Sequence, residues 1–348
     1  MKNMALTLDY ELYGDGSGDV FEHMIHPTER ILAICRHHDI RLTLFFEVLE
    51  YIRLKQEWAS GNKMGYTADP TAAIEQQLQS MAAAGHDIQL HVHPQWVNAQ
   101  YIDGAWQVDF ENWRLGDFDV SSAYSIEDML REGKQVIEDL IKPVFSDYQC
   151  TILRAGGYNV MPSEPVYKAM VNVGLKVDSS VYPGGFEAGD LSRYDFRAAP
   201  LNLDHWPAMA EDFCQPVRDS KVLEVPIFAL PQRRLRKISP ARIRSMLQNR
   251  ESAGRALAAK TEKRSLWQKI AFFFEKEAFS WDFCLFDMAL HKRFFRMIAQ
   301  HYSDRKLFVL VGHPKGFTAE RSFEKMIMYA HRKGFSFTTL KDAVSDDR

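Results

Sequence analysis

The stretch DPTAAIEQQLQSMAAAGHDIQLHVHP, residues 69–94, contains one full repeat of the chain's architecture. Apolar spacing after Pro70 predicts a helix opened by Asp69 or Thr71 and closed by Gly85. HDIQLHVHP follows as a strand that ends at Pro94. The same alternation extends in both directions. Upstream, LTLDYE reads as a strand, PTERILAICRHHD as a helix with Pro27 near its start, and RLTLFFEV as a buried strand. Downstream, SIEDMLREGKQVIEDLIKP is a capped helix, and CTILRAGGYN is a strand running into a glycine turn. PSEPVYKAMVNVG with LKVDSSVYP repeats helix then strand, and RKLFVLVGHP, TAERSFEKMIMYAHRKG and FSFTTL close the series. Repeated β-then-α units imply a parallel sheet covered by helices, either open or closed into a barrel.

The 348 residues have ample chain for a large core, and 46% hydrophobic with 26% charged residues is an ordinary globular composition. A net charge of -3 argues against a general nucleic-acid binder. Cys35, Cys150, Cys214 and Cys284 form no CxxC pair and read as reduced, buried thiols. MKNMALTLDYE has no apolar run long enough for a signal peptide or a membrane span, so a cytoplasmic location is expected.

Parallel strands place functional groups at their C-terminal ends, and four polar signals stand there: DYE, HVH, RAGG and GHP. Asp9 and Glu11 are spaced i, i+2, so both point to one side of their strand, and His91 with His93 repeats that geometry. Two acids side by side need a positive partner. Two imidazoles and one carboxylate form a common catalytic metal site, which would leave the second carboxylate free to act as a base. Arg154 is either a surface arginine before a glycine turn or the guanidinium that holds that second carboxylate. His313 is either a core histidine or a general acid/base at the mouth, with Asp178 placed to orient it or to cap a turn.

In this order the motifs LTLDYE, GHDIQLHVHP, RAGGY, GLKVDSSVYP and LVGHP resemble the polysaccharide deacetylase superfamily, or NodB-homology fold. The resemblance implies a deformed (β/α)7 barrel that hydrolyses N- or O-acetyl groups on sugars with one divalent metal, usually zinc. It implies Asp9 as general base, Glu11 as the metal carboxylate and His91 as the first metal histidine. Arg154 would pair with Asp9, and Asp178 would orient His313, the general acid. The family's second histidine lies four residues after the first, where this chain has Gln95. His93 is expected to substitute, being on the same strand face, with Gln95 as the fallback ligand. The family's groove tryptophan is also missing. Trp96, or another tryptophan of the aromatic loop 95–124, either lines the groove or fills that loop's own core. A backbone N–H near Tyr158 is expected to help hold the oxyanion.

The expected organisation is one catalytic domain over residues 1–348, with a basic helical insertion at about 232–300. Residues 232–269 carry twelve Lys or Arg against Glu251 and Glu262. Trp267, Ile270 and Phe274 share a helical face. That segment either meets an anionic lipid or membrane surface or packs on the barrel with its basic face in water. The expected activity is metal-dependent hydrolysis of an acetyl or other acyl group from an amino sugar or glycan precursor. Hydrolysis of small cyclic amides, as in allantoinase- or imidase-like members, is the alternative within the same fold. A non-catalytic glycan-binding relic is the reading outside enzymology.

Overall fold

A computed structural model describes residues 2–118, 124–233 and 276–345. Seven parallel strands form the framework: β1 (Lys2–Tyr10), β2 (Thr43–Glu47), β3 (Asp87–Val92), β4 (Ile152–Ala155), β5 (Val177–Asp178), β6 (Leu223–Glu224) and β7 (Leu307–Gly312). They pair in the order β6-β5-β4-β3-β2-β1-β7. The ring then closes on itself just past β6, where Ile227 bridges Val309 of β7 and the Phe228 N–H donates to the Val309 carbonyl at 2.9 Å. On this edge of β7 two isolated bridges, this one and Asp282 with Val311, replace a full ladder, which is the deformation of the barrel. An eighth strand, β8 (Phe335–Thr338), pairs with the first half of β1 on the edge whose second half β2 occupies.

Side-chain alternation sorts the apolar residues into two cores. Ala5, Phe45, Ile152, Val177, Val225, Ile227, Leu307, Val309 and Val311 form a small cluster inside the ring. Met4, Leu6, Leu8, Leu44, Phe46, Leu90 and Leu153 belong to the larger cluster between strands and helices. Helices α1 (His26–His37), α2 (Val48–Ser60), α3 (Pro70–Ala83), α4 (Ile126–Ile141) and α5 (Ser163–Val173) supply that outer layer, with α6 (Met288–His301), α7 (Glu320–Arg332) and α8 (Leu340–Ser345). Their starts follow local chemistry. Asp69 caps α3 by accepting from the Thr71 and Ala72 N–H groups, and Ser125 with Asp128 forms a capping box on α4. Helix α2 begins directly at the end of β2, with Glu47 as its cap.

Most of the expected basic insertion, including Trp267, Ile270 and Phe274, lies outside the described residues. At its margins Ala229–Arg233 and Lys276–Ser280 pair as an antiparallel ribbon in which Arg233 faces Lys276. The last part of the expected insertion is instead barrel framework, since α6 packs against α7. No helix among the described residues is long and apolar enough to cross a membrane.

Candidate active site

Strand register decides which groups share the mouth. Glu47, His91 and Arg154 are direct register partners across β2, β3 and β4, so they form one row of side chains on the inner face. Asp9 lies on the same inner face of β1, and Glu11 follows two residues later. His93 continues β3 in extended backbone, which keeps its ring beside that of His91 at 4.9 Å. Gly156 makes room for it: a Cβ there would stand 2.4 Å from the His93 ring.

The two carboxylates of DYE differ in their nearest partners. Glu11 Oε2 lies 2.7 Å from His93 Nε2 and 3.4 Å from His91 Nε2. Its other oxygen, Oε1, accepts from Lys315 Nζ at 2.8 Å. Asp9 Oδ1 accepts from Arg154 Nη1 at 2.6 Å, and Oδ2 faces His313 Nε2 at 3.5 Å. Arg154 is wholly buried and spreads its donors over Thr7 Oγ1, the Ser179 carbonyl and Ser179 Oγ, with its guanidinium 4.0 Å above the Phe45 ring. His313 is the exposed member, with 27% of its side chain accessible.

Charge states follow from these contacts. Burial pushes the Asp9 carboxyl up, but Arg154, with His91 and His313, outweighs it and holds the group below its usual range. Burial likewise works against Glu11, and Lys315 with His93 overrides it, so Glu11 stays ionised. Burial holds His93 down as the neutral imidazole. At His91 burial is outweighed by Glu11 and Asp9, and the ring is held up. Glu47 is raised by burial and by the neighbouring Glu50 and Glu11 carboxylates.

The donor set suits a divalent cation. Glu11, Glu47, His91 and His93 each offer one atom, all within 4.8 Å of one another and all buried. His91 Nδ1 meets the Arg154 carbonyl at 2.9 Å, which places its proton there and leaves Nε2 as a lone-pair donor. With Lys315 on Oε1, Glu11 has Oε2 to give. Gln95, the fallback ligand, stands behind His93 instead, with Nε2 3.0 Å from His93 Nδ1. Among the described residues a second candidate group, His37, His38 and Glu324, lies at the surface.

Two expected roles are corrected. Asp178 does not face His313: Val177 and Ser179 point into the barrel, so alternation turns Asp178 outward. There it accepts from the Ser180 N–H and hydroxyl and hydrogen-bonds Glu224. The carboxylates facing His313 Nε2 are Asp9 at 3.5 Å and Glu11 at 3.9 Å. Trp96 is not a groove residue, being 1% exposed and packed edge-on against Trp106 at 5.1 Å. Trp113 is the tryptophan beside the site, 6.0 Å from the His93 ring. Tyr158, at φ 63°, sits close enough to Asp9 to feel its charge and packs on Tyr182. Glu47 and Lys315 were not expected at all.

No family model matches the chain and no curated protein matches it. Among solved structures it is similar to a Mycobacterium smegmatis protein described as a polysaccharide deacetylase, at 13% identity over 99% of this chain and 90% of that one, TM-score 0.45. It is similar to Puue allantoinase at 12% identity over 98% and 88%, TM-score 0.47. A family 4 acetyl xylan esterase from Clostridium thermocellum, in complex with a cobalt ion, shares 11% identity over 98% and 89%, TM-score 0.36. A ring of seven parallel strands that closes through isolated bridges on β7, bearing DYE, HVH, RAGG and GHP at one end, makes the fold a deformed (β/α)7 barrel of the NodB-homology type.

Proposed function

We propose that the chain is a metal-dependent hydrolase that removes an acetyl or other acyl group from an amino sugar or glycan precursor. One observation carries this reading: Asp9 and Glu11, two residues apart, are each engaged by a different cation, Arg154 on Asp9 and Lys315 on Glu11, and so can do different work. Glu11, His91 and His93 would hold one divalent ion, with zinc the expected metal. When bound, that ion supplies a Lewis acid for the acyl oxygen and for water.

The rest of the chemistry belongs to the chain. Arg154 occupies Asp9 Oδ1, so Oδ2 is the oxygen that accepts the proton of the attacking water. His313 Nε2, partly open to solvent, delivers a proton to the leaving amine or hydroxyl. Lys315 fixes the Glu11 carboxylate through Oε1, leaving Oε2 toward His91 and His93. Trp113 and Tyr158 would wall the substrate.

Metal analysis of purified protein, with an acetate-release screen on N- and O-acetylated amino sugars, tests this. One equivalent of a divalent ion and acetate release are expected. Turnover of cyclic amides alone would move the assignment to the allantoinase-like alternative. A protein that holds no metal after supplementation would defeat the hydrolase reading and favour a glycan-binding role.

A further inference from the structure

We infer that Glu47 is a fourth protein ligand of the metal centre, making it a two-carboxylate, two-imidazole site. The inference rests on the reading of Glu11, His91 and His93 as metal ligands and adds a residue that belongs to none of the sequence motifs.

Three independent observations converge on Glu47. First, β2 and β3 run parallel with Glu47 opposite His91, so adjacent strands aim the two side chains to the same inner face. Second, the two carboxylate oxygens of Glu47 have different fates. Oε1 accepts from the Leu49 N–H at 3.1 Å and the Glu50 N–H at 3.4 Å, capping α2. Oε2 is buried with no hydrogen-bond partner among the described residues. A buried carboxylate oxygen without a partner costs on the order of 1–3 kcal/mol or more, so such oxygens are rare unless a cation or water completes them. Third, Glu47 offers a donor atom within 4.8 Å of those of Glu11, His91 and His93, with no accessible surface of its own.

The cap gives Glu47 a rigidity that a free glutamate lacks. Oε1 is fixed by the first turn of a 13-residue helix, so Oε2 is pointed without further loss of rotamer freedom. Four protein donors with two carboxylates also shift the preference among ions. A site that still admits water and substrate must then accept five or six ligands, which suits Mn²⁺, Fe²⁺ or Co²⁺, and Zn²⁺ when it expands beyond four.

The test is metal affinity, measured by competition with a chelator using Co²⁺ and Zn²⁺ on metal-stripped protein. Glu47→Gln keeps an oxygen to cap α2 and removes the charged donor. It should weaken binding by at least about 10-fold, since losing a ligand costs no less than losing a group that merely orients one, and change the visible absorption of bound Co²⁺. The metal-free melting temperature should hardly move, because the cap survives. Glu47→Asp, a carboxylate withdrawn by one methylene, should show a smaller loss and provides the same readout should the glutamine variant fold poorly. Wild-type affinity and an unchanged Co²⁺ spectrum in Glu47→Gln would overturn the inference while leaving the three-ligand reading intact. Failure of the wild type to bind either ion would overturn both.

Discussion

Arg154 Nη1 and Asp9 Oδ1 meet at 2.6 Å across the barrel interior, with no accessible surface on the arginine side chain and 2% on the aspartate. The pair joins β4 to β1 through the middle of the ring. Removing one partner strands the other as a buried charge. Arg154→Met should therefore cost about 3–5 kcal/mol of stability, read from urea unfolding. Arg154→Lys should recover only part, because one ammonium cannot serve Asp9, Thr7 and both Ser179 acceptors together. Full recovery by lysine would show that charge alone is required.

Acid/base groups and ligands should separate experimentally. Asp9→Asn and His313→Ala should keep near-stoichiometric metal while turnover drops by about 10²- to 10⁴-fold each. Glu11→Ala, His91→Ala and His93→Ala should lose metal and turnover together. If His93→Ala kept both while Gln95→Ala lost both, the placing of Gln95 behind the ring would be wrong.

Gly156 offers a test that leaves every donor in place. Its substituted Cβ would overlap the His93 ring at 2.4–2.6 Å, a contact only backbone or ring displacement can relieve. Gly156→Ala should purify metal-poor and bind Zn²⁺ more weakly. Unchanged affinity would show that His93 can shift without leaving the site.

His291, far from these motifs in sequence, sets an acid limit on stability. Burial pushes its pKa down to about 3 from 6.5, and Trp281 Nε1 donates to its Nδ1 at 2.9 Å. The unfolded chain therefore binds the extra proton first as pH falls below 6.5. Stability is full above that value and is lost progressively down to about 3, at up to about 1.4 kcal/mol per pH unit. His291→Asn keeps an acceptor for Trp281 and cannot titrate. Its stability should fall less steeply between pH 6 and pH 4 than that of the wild type; parallel curves would remove His291 as the cause.

Much of the architecture could be read from period alone. The helix over 70–83 with its Asp69 cap and the strand over 87–92 lie where spacing and capping chemistry put them. Asp9, Glu11, His91, His93, Arg154 and His313 do gather at one end of the ring. What failed was parity and what was missed was register. Asp178 stands at a strand end, but its neighbours Val177 and Ser179 take the inner face. Glu47 ends the apolar run TLFFE and carries no motif. Only its alignment with His91 on the next strand reveals it. Strand β6 spans two residues before Pro226 and is recognisable only because Val225 and Ile227 complete the closure of the ring.

The ribbon at 229–233 and 276–280 has a consequence for how such a protein can change. Arg233 and Lys276 face each other, so the chain leaves and re-enters the barrel through a single doorway. The register of β7 is held by its ladder with β1 and by two isolated bridges, Ile227 with Val309 before the ribbon and Asp282 with Val311 after it. A change of chain length between Arg233 and Lys276 meets this paired ribbon before it reaches the bridges at Ile227 and Asp282. The barrel end that bears Asp9, Glu11, His91 and His93 need not evolve in step with such changes.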